Sequence, residues 1–211
     1  TSKRRLPEWL RKDLAPGHEA GRTDVLLKKF GLHTICESGR CPNRDECYSQ
    51  RTATFMLMGD VCTRTCRFCS VSMGKPDVLD ANEPKRVAQA AALLGLQHVV
   101  VTSVNRDDLD DEGAGHFVDV IQELKKIASP PIIEILTPDF KKTQAQAVGR
   151  IMAAGPDIFS HNVETVPRLY RKVRPQADYS TSLAIFSRIR AFSDKVLTKS
   201  GLMLGLGETR M

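Results

Sequence analysis

At 211 residues the chain is long enough to bury one sizeable core, and its 41% hydrophobic and 27% charged residues are those of an ordinary globular protein. No apolar run approaches the roughly 18 residues a membrane span needs, and no apolar stretch follows the basic start Thr1-Ser2-Lys3-Arg4-Arg5 to make a secretory signal. The net charge of +6 favours an anionic partner only weakly, because the densest basic cluster (Lys3, Arg4 and Arg5 with Arg11 and Lys12) is too short for a nucleic-acid-binding arm.

Residues 1–51 read as an N-terminal extension with little periodic apolar pattern, anchored by Trp9 and Leu10, with a short helix over Val25 to Phe30. Beyond it, strands alternate with amphipathic helices. Ala53 to Met58 is the first predicted strand, and Glu83 to Leu94 is a helix with Pro84 in its first turn. His98 to Val104 is a Val-rich buried strand, and Gly115 to Ile127 a helix with Phe117, Val118, Ile121 and Leu124 on one face. Strand Pro131 to Leu136, helix Lys141 to Ala154 and strand Pro156 to Val163 follow. Helix Thr181 to Ser193 and strand Val196 to Leu204 complete the pattern.

This alternation predicts an α/β fold with a parallel sheet and right-handed crossovers, either doubly wound or curled into a barrel. In both cases chemistry gathers at the C-terminal ends of the strands. Four polar or glycine-rich segments fall at that edge: the loop after the first strand, Thr102 to Asp108, Asn162 to Glu164, and Gly205 to Glu208. The chain starts at Thr1 and stops just after a predicted strand, so it reads as a fragment.

All six cysteines lie in one short window and form two triplets. Cys36, Cys41 and Cys47 are spaced C-x4-C-x5-C; Cys62, Cys66 and Cys69 are spaced C-x3-C-x2-C. A structural zinc wants four ligands, whereas a four-iron cluster held by three thiolates keeps one iron free to bind something else. A disulfide framework serves smaller domains that lack a core, so a reducing compartment fits better. The tight second spacing lets one loop wrap a compact cubane. Phe68 can shield such a cluster, and Arg64 and Arg67 add positive charge beside it. A zinc site completed from outside, with His33 as the nearest histidine, is the competing reading of this triplet.

The second triplet after a first strand resembles the radical S-adenosylmethionine (SAM) superfamily. The paired triplets narrow the resemblance to the lipoyl synthase family. It is carried also by the segments Leu32 to Asn43, Met56 to Arg64, Thr102 to Leu109, Leu136 to Phe140, His161 to Pro167 and Lys199 to Glu208, in order along nearly the whole chain.

That resemblance implies a partial (β/α) barrel over 52–211, with 1–51 carrying an auxiliary cluster. Cys62, Cys66 and Cys69 would bind the catalytic 4Fe-4S cluster, and Cys36, Cys41 and Cys47 a second, sulfur-donating one. S-adenosyl-L-methionine would supply a radical that removes hydrogen at C6 and C8 of an octanoyl chain on a lysine of an acidic lipoyl carrier domain. In the cofactor pocket, Ser103 would meet the methionine amino group, Glu164 and Asn162 the ribose, and Arg174 the carboxylate; Gly205 and Gly207 would admit the adenine, with Phe68 beside the cluster. Taken alone, Ser103 reads as a turn residue, Glu164 as a helix N-terminal acid ahead of Val166-Pro167, and Arg174 as a member of a surface ion pair. Asp107, Asp108, Asp110 and Asp111 lack the closing glutamate of a calcium loop and read as solvated or capping acids. The expected partners are the octanoylated carrier, an electron donor such as ferredoxin or flavodoxin, and an iron-sulfur carrier, with no nucleic acid and no membrane. The expected state is a monomer in the cytoplasm, or in an organelle matrix if the true N-terminus lies upstream.

The family pattern ends in an Arg-Ser-Ser-Tyr motif whose serine is the fourth ligand of the auxiliary cluster. These 211 residues contain neither that motif nor the sixth strand and following helix. The resemblance then implies a labile auxiliary cluster, or one closed by water or an exogenous ligand, and a sheet with one raw edge. Two rivals remain at this point. One is another sulfur-inserting radical enzyme, such as a methylthiotransferase acting on transfer RNA. The other is a zinc-stabilised binding module without catalysis.

Overall fold

The computed structural model describes residues 7–8 and 18–209. Trp9, Leu10 and the basic residues Lys3, Arg4, Arg5, Arg11 and Lys12 lie outside them. The elements, in order, are α1 (His18–Lys29), β1 (His33–Thr34), α2 (Ile35–Ser38), α3 (Arg44–Ser49), β2 (Thr52–Leu57), β3 (Val61–Cys62), β4 (Ser72–Met73), α4 (Glu83–Leu93), β5 (His98–Ser103), α5 (Ala114–Lys125), β6 (Ile132–Leu136), α6 (Gln144–Ala154), β7 (Ile158–Ser160), α7 (Tyr170–Val173), α8 (Tyr179–Phe192) and β8 (Leu197–Lys199).

The six-stranded sheet runs β1-β2-β5-β6-β7-β8. From β2 onward each strand pairs in parallel with the next one in sequence. No strand order reverses, so the sheet is singly wound, which selects the curled alternative over the doubly wound one. Side chains alternate across it. Phe55, Val101, Ile135 and Phe159 are buried on one side. On that side helices α4, α5, α6 and α8 pack each against its neighbour in a row, contributing Val87, Phe117, Ile121, Ile151, Ile185 and Ile189 to a single core. Each such side chain stabilises the fold by about 1.5–3 kcal/mol relative to exposure.

Several expectations are corrected. The helix of the extension spans His18–Lys29 rather than Val25 to Phe30, and β1 pairs antiparallel with β2, His33 opposite Met56. Such short elements carry no readable period. Helix α6 starts at Gln144 rather than Lys141, and Glu112 accepts the backbone N–H groups of Lys142 and Thr143 ahead of it, at 2.9 and 3.0 Å. Strands β7 and β8 are shorter than predicted. His161 N–H bonds to Lys199 O, but it is Glu164 N–H that bonds to Gly201 O. Three residues on one strand thus oppose two on the other, a bulge that ends the regular ladder. Among the described residues β8 pairs only with β7, and Leu197, Leu202 and Leu204 near it are exposed. No helix among the described residues is long and apolar enough to cross a membrane.

Candidate functional site

At the C-terminal edge of the sheet the chain leaves β2 through Met58 and Gly59, both in the left-handed region at φ 67° and 89°. It then enters the thiol loop. β3 and β4 pair with each other, Val61 opposite Ser72, and Gly74 N–H bonds to Cys62 O at 3.0 Å. These bonds pinch the base of the loop, so that Cys62, Cys66 and Cys69 are presented from one closed turn. Burial grades along it: Cys62 is buried, Cys66 half-buried and Cys69 exposed, and all three are free thiols. Burial pushes the Cys66 thiol up, against the nearby Arg174 guanidinium, while Cys62 and Cys69 add to the rise.

Arg64 corrects a sequence expectation. Its charge is not left free beside the thiols. Its side chain is 4% exposed and pairs with Asp107 at 2.6 Å and with the fully buried Asp139 at 2.7 Å, with Glu112 at 3.9 Å. Burial works against the guanidinium charge, but the Asp107 hydrogen bonds and the Asp139 charge outweigh it and raise the Arg64 pKa. One side chain therefore ties the thiol loop to the loops after β5 and β6. Thr63 adds to the tie, its Oγ1 donating to Asn105 O at 3.0 Å and to Asp107 at 2.8 Å. Asp107 is thus structural rather than solvated. Asp108 pairs with Arg106, and Asp111 caps α5 by accepting the N–H groups of Gly113 and Gly115.

The thiols open into a cavity of about 250 Å³ lined by residues from every strand end between β2 and β7, large enough for a small molecule and too small for a folded partner. Phe68, Ser103, Asn162, Glu164 and Arg174 all line it. Gly205 and Gly207 do not; they sit in an exposed turn where Glu208 accepts the Gly205 N–H and Arg168 donates to Gly207 O. Their positive φ values, 91° and 117°, explain why glycine stands there.

Arg174 is no surface ion pair. It is buried, packs over Tyr170 and donates from Nη1 to Asn162 O at 3.0 Å, but pairs with no carboxylate among the described residues. Its Nε is buried without a partner, as are Ser103 Oγ, Thr137 Oγ1 and His161 Nε2, and all four residues line the cavity. Buried polar atoms are ordinarily satisfied, so four orphans around one cavity suit a polar, zwitterionic ligand. Glu164 adds left-handed backbone at φ 67°, an unfavourable conformation for a non-glycine residue, and burial raises its pKa against the opposing effects of Arg174 and Asn162. Sequence reasoning missed Thr137, Asn105 and His161. The strand-end rule could have found them: Thr137 follows β6, Asn105 follows β5 and His161 follows β7. His161 is 1% exposed, and its Nδ1 bonds to Thr137 O at 2.9 Å. Burial lowers its pKa to about 4, so the ring is neutral near pH 7 and Nε2 is an acceptor.

The upstream triplet is arranged differently. Thr34 caps α2 by accepting the Glu37 N–H, and Cys41 N–H bonds to Cys36 O at 3.0 Å. Cys36 is buried while Cys41 and Cys47 are half-buried. Ser70 Oγ donates to Ser38 O at 2.7 Å, joining the two thiol segments, and Ile35 reaches the cavity wall.

Residues 56–211 match the radical SAM superfamily. Two solved structures share the fold. An FeFe-hydrogenase maturase, HydG, superposes with a TM-score of 0.60 at 15% identity, over 92% of this chain and 48% of its own. Methylornithine synthase, PylB, gives 0.54 at 16%, over 88% and 56%. The fold and the thiol loop thus define a radical SAM enzyme. Such enzymes use a 4Fe-4S cluster and SAM. Among the described residues no three His, Cys, Asp or Glu side chains converge closely enough to hold a single metal ion, but three thiols on one loop are the donor set of a multi-iron cluster, and the four orphaned polar atoms suit SAM. Among curated relatives, a lipoyl synthase of Caldanaerobacter subterraneus subsp. tengcongensis is 52% identical over 97% of this chain and 71% of its own length. One from Nitrosococcus oceani is 51% identical over 99% and 64%, and lipoyl synthase 2 of Gloeobacter violaceus is 50% identical over 100% and 72%. The chain belongs to the lipoyl synthase family, radical SAM enzymes that insert sulfur. That membership sets aside the non-catalytic zinc module.

Proposed function

We propose that this protein inserts two sulfur atoms, at C6 and C8, into an octanoyl chain carried on a lysine of an acidic lipoyl carrier domain. The observation that carries the reading is the junction of the two thiol-bearing segments: Ser70 of the downstream loop bonds to Ser38 O, and Ile35, the sequence neighbour of Cys36, lines the cavity with Cys62, Cys66 and Cys69, while Cys36, Cys41 and Cys47 do not line it. In this reading residues 52–211 form the barrel that holds one 4Fe-4S cluster on Cys62, Cys66 and Cys69. Residues 1–51 hold a second on Cys36, Cys41 and Cys47, the source of sulfur. The first cluster and SAM, when bound, supply the one-electron chemistry that removes hydrogen from an unactivated carbon.

The chain's own residues bind, orient and exclude water. An alkyl C–H has no acidic proton, so no side chain is needed as a base. Arg174, anchored through Nη1 on Asn162 O, offers its remaining planar edge to the SAM carboxylate. Ser103 meets the amino group, and Glu164 with Asn162 the ribose. Gly205 and Gly207, lying beyond the cavity, are left out of this set. Met56, Phe68, Val104 and Leu136 make the apolar walls that keep water from the reacting carbon. An electron donor of the ferredoxin or flavodoxin class and an iron-sulfur carrier serve the enzyme in the cytoplasm.

Counting iron, sulfide and zinc per chain after anaerobic purification tests the reading, with mass spectrometry of an octanoylated carrier domain after incubation with SAM and reductant. Iron with matching sulfide, about four irons for each triplet that holds its cluster, and a carrier that gains two sulfurs for two hydrogens, are expected. Zinc without sulfide, or modification of transfer RNA instead of the carrier, would overturn it.

A further inference from the structure

The sulfur of Cys62 sits among N–H donors. The backbone N–H of Arg64 reaches it at 3.4 Å and that of Asn105 at 3.3 Å. The Asn105 side chain adds a third, Nδ2 donating at 3.7 Å. Asn105 does not belong to the thiol loop; it comes from the segment after β5, which is held firmly against that loop. Thr63 donates to Asn105 O from its backbone N–H at 3.2 Å and from its Oγ1 at 3.0 Å. Two residues further on, Asp107 is fixed by Arg64 at 2.6 Å. The clamp fixes Asn105 with two of its donors, one backbone and one side chain, against a single sulfur.

A hydrogen bond to a thiolate stabilises negative charge on sulfur. A reduced iron-sulfur cluster carries one more negative charge than its oxidised form, so such a bond favours reduction and raises the potential. We propose that Asn105 is a positioning residue that acts through the Cys62 sulfur to raise the reduction potential of the cluster held by Cys62, Cys66 and Cys69. The assignment rests on the reading of that triplet as cluster ligands.

The test is an EPR-monitored redox titration of the full chain. It is done without SAM, because Asn105 also lines the cavity and an effect on SAM binding would otherwise be mixed in. A background with Cys36→Ala, Cys41→Ala and Cys47→Ala confines the signal to one cluster. Asn105→Ala removes the side-chain donor and keeps the backbone one, and its midpoint should fall below that of the background chain. Asn105→Asp keeps the shape but replaces the donor by a carboxylate, and its midpoint should fall further. If Asn105→Ala loses its iron, the isosteric Asn105→Asp decides alone. Equal midpoints, or a rise in either variant, would overturn the proposal. A background chain that binds no iron or sulfide would overturn the ligand reading together with it, a result separable from a cluster that forms and titrates unchanged.

Discussion

The two thiol triplets are similar in composition and opposite in how they are held. The Cys36–Cys47 segment is shaped by bonds between near neighbours, such as the Thr34 cap on Glu37 and the Cys41 to Cys36 turn. The Cys62–Cys69 loop is shaped by residues far away in sequence, Asp107, Glu112 and Asp139, converging on Arg64. Local turns set the spacing of one triplet, on a segment that β1 joins to the sheet. The other exists only because three strand ends meet. The upstream segment is fastened to the barrel by apolar packing, with Cys36 and Tyr48 buried in the same core as the sheet, whereas the downstream loop is fastened by buried charge and cannot move without exposing unpaired carboxylates.

Four measurements sharpen or break that contrast. The largest effect is expected for Arg64→Ala, which leaves Asp107 and the fully buried Asp139 without their cation and should cost roughly 3–5 kcal/mol in urea unfolding. If it costs no more than a surface variant, the contrast fails. Next is the pH dependence from His161. Its pKa falls from 6.5 in the unfolded chain to about 4 in the folded one, so between those values the unfolded chain binds the extra proton. Stability should therefore fall as the pH drops from about 6.5 to about 4, by about 3 kcal/mol in total. His161→Gln should flatten this part of the profile, and an unchanged slope would show that the ring titrates alike in the folded and unfolded chains. Arg44→Ala removes the partly exposed 3.5 Å pair to Asp24 that links α3 to α1, and should cost at most about 1 kcal/mol in the same urea assay. Smallest is Ser70→Ala, which loses one exposed hydrogen bond to Ser38 and about 0.5 kcal/mol. Faster hydrogen exchange in 35–41, with 62–69 unchanged, would show that the upstream segment loosens alone.

The same contrast explains what could be read from the sequence. Thiol spacings and the strand–helix alternation are local, and both are plain in the order of residues. The gathering of polar groups at strand ends followed from the alternation, and Ser103, Asn162 and Glu164 do line one cavity; Arg174, which also lines it, was suggested only by the family resemblance. Arg64 was misread because a cation beside cysteines looks free until two carboxylates from other loops are brought to it. Asn105 and His161 were missed because a polar residue after a strand looks like a turn residue, and only packing reveals an orphaned nitrogen or a donor aimed at sulfur. Gly205 and Gly207 were placed near a ligand when their immediate reason is the backbone of their own turn. The bulge between β7 and β8 has no sequence period at all; it becomes visible only when two strands are laid side by side.

The Arg64–Asp139 pair has a consequence for the order in which the protein matures during synthesis. Asp139 lies two strands beyond the thiol loop, so a chain emerging at roughly 5–20 residues per second has its cysteines in solution for several seconds before the acid that locks them is made. During that interval the upstream thiols can already adopt their turns, while the downstream loop has the local bonds at its base but not the buried charge pair that locks it. The upstream triplet can thus take its shape before the downstream loop is fully locked.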